Sequence, residues 1–255
     1  IKNRIISTLN KLAKDDKDKF DIFWEAFGPV IKEGIYEDYE KKDDLLKLIR
    51  FKSSNTKDGY RSLEEYIGDM KPNQKSIYFI TSEDYQSALA NPLLEGYVAR
   101  EVEIIILTDP IDSFWTATGI RFEDKELKHV SHGTEELTDI SVTQKAKKKK
   151  SKAKITDSDL KKLIAEMTRV LGDHVSEVKI NSSLIDSPVC ISIGENVYDK
   201  TMQKILQQRQ GISISKPVLE VNPNHDVMIK LSDMFKNKQT KNINTTAHIL
   251  LDYAL

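Results

Sequence analysis

The spacing of apolar positions divides the chain into amphipathic helices and short strands. Near the N-terminus apolar residues recur every three or four positions, which predicts a helix that the polar run 14–18 closes. A second helix is expected over about 20–31, where Gly28 and Pro29 predict a kink or an interruption. A third helix is expected near 40–50.

The period then changes to short runs of β-branched and aromatic residues. Residues 76–81 and 102–107 have this composition and predict two buried strands. Residues 83–100 between them have a helical pattern that is broken at Pro92. Strand, helix and strand in this order indicate a βαβ unit, so we expect 20–130 to form a small α/β fold with a short parallel sheet.

The second half of the chain predicts an α+β domain. Thr156 is a suitable N-cap for a helix with an apolar stripe that Gly172 ends. Strands are expected at 174–181, 188–193 and 217–222, an amphipathic segment at 198–210, and helices near 225–236 and 243–255.

The distribution of charge indicates where the domains meet. The net charge is only −1, yet residues 1–142 carry 20 basic and 28 acidic side chains, and 143–155 carry seven lysines and no acid. Two composition regimes separated by a basic strip suggest a boundary. We therefore expect a helical connector at 1–18, a small α/β subdomain at 19–130, a Lys-rich linker at 131–155 and an α+β domain at 156–255.

Composition excludes several classes of protein. The hydrophobic fraction of 39% is too high for a disordered chain. The longest apolar run, 104–107, is far too short for a membrane helix. With Cys190 as the only cysteine, an internal disulfide framework is excluded and a reducing compartment is expected. The chain begins and ends inside apolar stretches, so we expect a fragment.

Candidate catalytic and ligand-binding residues have simpler structural explanations. The ten glycines form no phosphate-binding loop. His129 and His132 have the spacing of metal ligands, but we expect two surface histidines in a loop. Cys190 lies in an apolar strand, where a buried structural thiol is favoured over a nucleophile.

Two further features keep a functional alternative open. Asp109 and Asp112 follow a strand end, where α/β active sites often lie, although a helix N-cap with a first-turn acid explains them more simply. The lysine strip could bind phosphates, but a solvated tether is favoured because no aromatic residues are interleaved.

Several stretches together resemble the bacterial (high-temperature protein G) branch of the ninety-kilodalton heat-shock chaperone family. The residues that carry the resemblance occur in the family's order: 23–34 (FWEAFGPVIKEG), 48–54 (LIRFKSS), 62–66 with 77–81 (SLEEY and IYFIT), 186–188 (DSP) and 219–225 (LEVNPNH). They extend over nearly the whole chain.

The resemblance implies a position within a longer chaperone. The chain would contain the end of the middle domain and most of the C-terminal dimerisation domain. The ATPase domain and its catalytic arginine would lie upstream, so no catalytic residue and no cofactor are expected in this chain. Full-length members would use ATP and magnesium, act as cytoplasmic homodimers in the stress response, and bind neither nucleic acid nor membrane.

The resemblance also implies which residues would bind unfolded client proteins. One contact matches Phe114 and Trp115, of which we expect one in the core and one at the surface, because adjacent helical residues do not share a face. The other matches the amphipathic stripe of Tyr198, Met202, Ile205 and Leu206. The dimerisation residues implied for the final helix are Ile243, Ala247, Leu250, Leu251 and Ala254.

Three hypotheses of function follow. The first is the client-binding and dimerisation portion of an ATP-dependent protein-folding machine. The second is a purely structural assembly module, whose apolar helices meet only another subunit. For the 198–206 stripe by itself, the simpler alternative is that it packs into its own core. The third is an α/β enzyme with a small-molecule site near Asp109.

Overall fold

The computed structural model describes residues 1–56, 58–143, 155–192, 194, 203, 207, 215–237 and 239–255, without the side chains of 240 and 241. The chain divides into two units, one comprising 1–90 and 102–133 and the other comprising 91–101 and 134–255. Residues 91–101 therefore group with the second unit, whereas the sequence-based boundaries assign them to 19–130.

The first unit begins with two long helices, α1 (Lys2–Asp15) and α2 (Lys17–Glu37). Asp16 lies between them and caps α2 by accepting a hydrogen bond from the backbone N–H of Lys19. α2 continues through Pro29, so the predicted interruption is wrong. Proline removes one backbone donor, but tertiary packing of the buried face stabilises the helix on both sides of it.

Short helices connect the remaining elements. They are α3 (Lys42–Leu46), α4 (Leu63–Gly68), α5 (Tyr85–Leu89), α6 (Glu95–Val98) and α7 (Asp112–Thr116). The predicted break at Pro92 is confirmed, because a 3-10 turn, Pro92–Leu94, separates α5 from α6. α4 has a capping box in which Ser62 and Glu65 satisfy each other's backbone N–H groups.

A five-stranded mixed sheet lies at the centre of the first unit. Its strands are β1 (Lys52–Ser53), β2 (Ile77–Thr81), β3 (Ile105–Leu107), β4 (Arg121–Phe122) and β5 (Lys125–His129), in the order β1-β3-β2-β5-β4. β3, β2 and β5 are parallel, with Phe79 of β2 paired with Ile105 of β3. The expected parallel pairing of β2 with β3 is therefore present. The third parallel strand, β5, and the antiparallel edge strands β1 and β4 were not predicted.

The core of the first unit joins the helices to this sheet. One face of α2 buries Phe20, Trp24 and Ile35. They belong to the same apolar cluster as Tyr66 of α4 and Trp115 of α7. α7 is the next element after β3, its tryptophan enters this core, and the helix packs against α2.

The described part of the second unit after residue 155 combines a three-stranded sheet with three amphipathic helices. The helices are α8 (Asp157–Leu171), α9 (Asp226–Lys236) and α10 (Thr240–Ala254), and the strands are β6 (Glu177–Ile180), β7 (Val189–Ser192) and β8 (Val218–Val221). β8 lies in the middle, parallel to β6 and antiparallel to β7. Thr156 accepts a hydrogen bond from the backbone N–H of Asp159, as the N-cap prediction requires.

The core of the second unit lies between these helices and the sheet. Leu163 and Met167 of α8 pack with Leu219 of β8 and Leu231 of α9 in one apolar cluster. The final helix contributes Ala247 to the same cluster. An α+β arrangement is therefore present in the described part of the second unit.

Candidate functional site

A buried cluster of charges connects α2 with α7 and with the turn before it. The Lys32 ammonium lies 2.6 Å from Asp109 Oδ2 and 2.9 Å from Asp112 Oδ1. Lys32 is 4% exposed and Asp112 is fully buried. An ion pair so deeply buried is maintained only when both charges remain matched, so the cluster fixes the position of α7 on α2.

Asp112 has three kinds of partner within this cluster. Besides the Lys32 ammonium, it accepts a hydrogen bond from Trp115 Nε1 at 2.8 Å and another from the Asp109 backbone N–H at 3.0 Å. Burial raises the pKa of the Asp112 carboxyl, and the nearby Lys32 charge opposes that rise. The carboxylate thus orients the tryptophan ring as well as the lysine.

The sequence predicts that Asp109 and Asp112 are a helix N-cap and a first-turn acid, and only the second part of this prediction is confirmed. Asp112 is a first-turn acid of α7, as expected. Asp109 is not the N-cap, because that position belongs to Ile111, which has no side chain able to cap the helix. Asp109 is instead paired with Lys32, which lies 77 residues earlier in the chain.

The two aromatic residues of α7 differ in exposure. Trp115 is 1% exposed and belongs to the core, which argues against direct contact of its ring with a client. Phe114 is half-buried, and its ring centroid lies 6.0 Å from that of Tyr36 in an edge-to-face arrangement. Tyr36 is 53% exposed. Phe114 is thus the aromatic residue of α7 that reaches the surface, and it does so beside Tyr36 of α2. These two rings are here called the Phe114–Tyr36 pair.

The second expected client contact falls on positions that the structure does not describe. Tyr198, Met202, Ile205 and Leu206 all lie outside the described residues. Their role as an amphipathic client surface stays a prediction from the sequence. The basic strip that was expected to be a tether also lies mostly outside the described residues.

The residues expected to mediate dimerisation face the core of their own unit. On α10, Ile243, Ala247, Leu250 and Leu251 are buried and Ala254 is half-buried, all packed in the second core. Different apolar residues of the same helix, Ile249 and Tyr253, are 59% and 65% exposed. They are four positions apart, so they share the outer face of α10.

The loop before β7 binds a carboxylate within the second unit. Glu95 of α6 accepts hydrogen bonds from the backbone N–H groups of Ile185, Asp186 and Ser187, and also from the Ser187 hydroxyl. Successive backbone donors that converge on one acceptor form an anion-binding concavity. The loop at 185–187 therefore holds α6 through three backbone donors and the Ser187 hydroxyl.

The other candidate residues have local structural partners. Nδ1 of His129 lies 2.7 Å from the Ser131 hydroxyl, and the ring of His129 packs on Phe79 and His132. Cys190 is buried as expected, and burial raises the pKa of its thiol. Within the described ranges no cluster of three metal-binding side chains occurs, and no helix there is long and apolar enough to cross a membrane.

Comparison with known proteins relates the whole chain to one family. A family model described as "Hsp90 protein" matches residues 1–255. Chaperone protein HtpG of Mesorhizobium japonicum is 37% identical over 253 residues, which cover 99% of this chain and 40% of that protein. Chaperone protein HtpG of Nitrobacter hamburgensis is 38% identical over 255 residues, covering 100% and 39% respectively. The chain thus spans about two fifths of the length of the curated relatives that it matches.

Proposed function

The chain belongs to the Hsp90 protein family, and we propose that it is the client-binding and dimerisation portion of an ATP-dependent protein-folding chaperone. The observation that carries the proposal is the family match along all 255 residues, to relatives named as chaperones. Neither the motifs nor the described geometry requires a reaction within the chain itself.

The first client surface in this proposal is the Phe114–Tyr36 pair. Its two rings reach the surface at the junction of α7 with α2. Aromatic rings offer a large apolar area at a small cost in conformational entropy, so they can hold many different unfolded segments. The buried cluster of Lys32 and Asp112 supports the pair from below by fixing α7.

The second client surface is the stripe of Tyr198, Met202, Ile205 and Leu206, retained from the sequence. These positions share one helical face, and the intervening positions are polar. Flexible methionine beside apolar residues of medium size suits a surface that adapts to many sequences.

Association of two copies would involve the outer face of α10. Ile249 and Tyr253 supply exposed apolar area there. Ile243, Ala247, Leu250, Leu251 and Ala254 would support that face from inside the unit rather than contact the partner. Nucleotide and magnesium would be bound by other parts of the full-length protein, with the cytoplasm as its compartment.

A titration of a labelled, locally unfolded protein tests the proposal. Fluorescence anisotropy is recorded against the 255-residue chain and its Met202→Asp/Leu206→Asp variant, with Lys204→Asp as a matched control on the polar face. Light scattering gives the mass of each variant. We expect saturable binding that the double variant loses at unchanged mass and the control keeps.

Two outcomes would contradict the proposal. If the unmodified chain bound no client, the chain would be a structural assembly module. If the double variant changed in mass rather than in client binding, the stripe would belong to an interface between subunits. Equal binding by the unmodified chain and the double variant would show that the stripe is not a client surface. The Phe114–Tyr36 pair would then remain as the proposed client surface.

A further inference from the structure

A cavity of about 410 Å³ opens in the first unit between α2, the end of β3 and the start of α5. Its size lies within the range of ligand-binding clefts. Every residue that lines the cavity belongs to the first unit. It differs from the Phe114–Tyr36 pair, because neither of those rings lines it.

Aromatic side chains form the walls of the cavity. Trp24, Tyr60 and Tyr85 all line it. The Trp24 ring lies flat against its own helix, and a Cβ added at Gly28 would lie 3.0 Å from the ring. Glycine at position 28 therefore leaves room for the tryptophan ring to lie against α2.

Carboxylates make the interior of the cavity favourable for a cation. Glu25 and Asp109 line it from opposite elements, α2 and the turn after β3. Burial raises the pKa of the Tyr60 hydroxyl, and the negative charges of Glu25, Asp21 and Asp109 raise it further. Carboxylates therefore exert a negative field at the Tyr60 hydroxyl.

Two of the three cations that line the cavity are already held by other groups. Lys32 is already paired with two aspartates. The buried Arg50 guanidinium donates to the backbone carbonyls of Lys47 and Ile49 and packs over a phenylalanine ring. Lys52, the third, is exposed.

We propose that this cavity binds an arginine side chain from an extended polypeptide. A planar guanidinium stacks on aromatic faces and pairs with carboxylates through several N–H groups. The half-buried Tyr60 and Tyr85 rings would supply the stacking contact and the two carboxylates the pairing, whereas the Trp24 ring already has the Lys32 ammonium 5.8 Å from its centroid. Asp109 would accept through Oδ1, since Oδ2 is held by Lys32. The inference rests on the proposed function in one respect only, namely that the polypeptide is a client segment.

Calorimetric titration with a short peptide tests the inference. The probe is acetyl-Ala-Ala-Arg-Ala-Ala-amide, and the same peptide with glutamine in place of arginine is the neutral comparison. Titrations into the 255-residue chain are repeated with Glu25→Gln and Asp109→Asn. Glu33→Gln makes the same change at an exposed position of α2 outside the cavity.

We expect saturable binding of the arginine peptide, weakened at least about tenfold by Glu25→Gln or by Asp109→Asn and unchanged by Glu33→Gln. Glu25 is exposed, so its variant should fold even if Asp109→Asn does not. Equal affinity for the glutamine peptide, full affinity in the Glu25→Gln variant, or no saturable binding would each overturn the inference. The anisotropy titration with unfolded protein is a separate experiment. The proposed client binding can therefore be confirmed while the arginine site is disproved, and the reverse is also possible.

Discussion

Helices α7 and α10 each carry apolar residues that reach the surface beside apolar residues that are buried, but the two helices are held in place by different interactions. α7 is fixed by charges, because its Asp112 is buried against Lys32 and oriented towards Trp115. α10 is fixed by apolar packing, with Ile243, Ala247 and their neighbours in the second core. Where a buried ion pair supports a helix, removing one charge should lower the free energy of unfolding. Where apolar packing supports it, removing buried volume should do so.

The largest effect is expected from breaking the charge support of α7. Lys32→Met leaves Asp112 buried without its cation, so the first unit should lose about 3–5 kcal/mol in its free energy of unfolding. Urea unfolding followed by tryptophan fluorescence measures this loss, because both tryptophans of the chain lie in the first unit. Lys11→Met, at an exposed position of α1, is the matched control and should change the stability by less than about 0.5 kcal/mol.

A loss below about 1 kcal/mol for Lys32→Met would contradict this part of the comparison. It would mean that the ion pair behaves like an exposed one. The position of α7 would then depend on the packing of Trp115 alone.

The next largest effect is expected from removing volume beneath α10. Leu251 is 3% exposed, so Leu251→Ala should destabilise the second unit by about 3 kcal/mol. Urea unfolding followed by circular dichroism should show this loss, while the tryptophan transition of the first unit stays unchanged. Ile249→Ala removes the same number of carbon atoms from the outer face of the same helix, where the side chain is 59% exposed, and should cost much less. Similar losses for the two variants would show that the two faces have been assigned wrongly.

The smallest effect concerns how stability depends on pH in each unit. In the first unit, burial raises the pKa of Glu103 above its ordinary value, so the folded state binds that proton more tightly than the unfolded state does. The resulting stabilisation is present below the ordinary pKa and is lost as the pH rises through the raised value. Glu103→Gln should therefore gain stability relative to the unchanged chain as the pH rises from about 4 to about 7.

For Glu166 in the second unit, we expect stability to depend on pH in the opposite direction. Its hydrogen bonds from Arg169 lower the pKa of the carboxyl, so its stabilisation is present above the ordinary pKa and is lost as the pH falls. Glu166→Gln should lose stability relative to the unchanged chain over the same rise in pH. Thermal unfolding at a series of pH values compares the two variants, and slopes of the same sign would contradict the contrast.

Much of the fold can be predicted from apolar spacing alone. The strands at 77–81 and 105–107, the break at Pro92 and the N-cap at Thr156 all follow from local pattern. The edge strands β1 and β4 could not be predicted, because two residues are too few to show a period. The uninterrupted course of α2 through Pro29 depends on tertiary packing that local propensity does not contain.

Less of the candidate site could be predicted from the sequence. The spacing of α10 shows which residues share a face, but it does not show whether that face covers the protein's own core or meets a partner. Lys32 gives no sign in the sequence that it will meet Asp112, which lies 80 residues away. Tyr36 could have been noticed as an aromatic residue near the end of α2, but only the structure brings it to Phe114.

Client binding and self-association are expected on different surfaces of the chain, and one paired measurement tests this separation. Phe114→Gln and Ile249→Asp/Tyr253→Asp are each compared with the unchanged chain in client anisotropy and in mass by light scattering at several concentrations. We expect Phe114→Gln to weaken client binding at unchanged mass, and the α10 variant to lose self-association while keeping client binding per chain. The opposite pattern, or loss of both properties in either folded variant, would contradict the account.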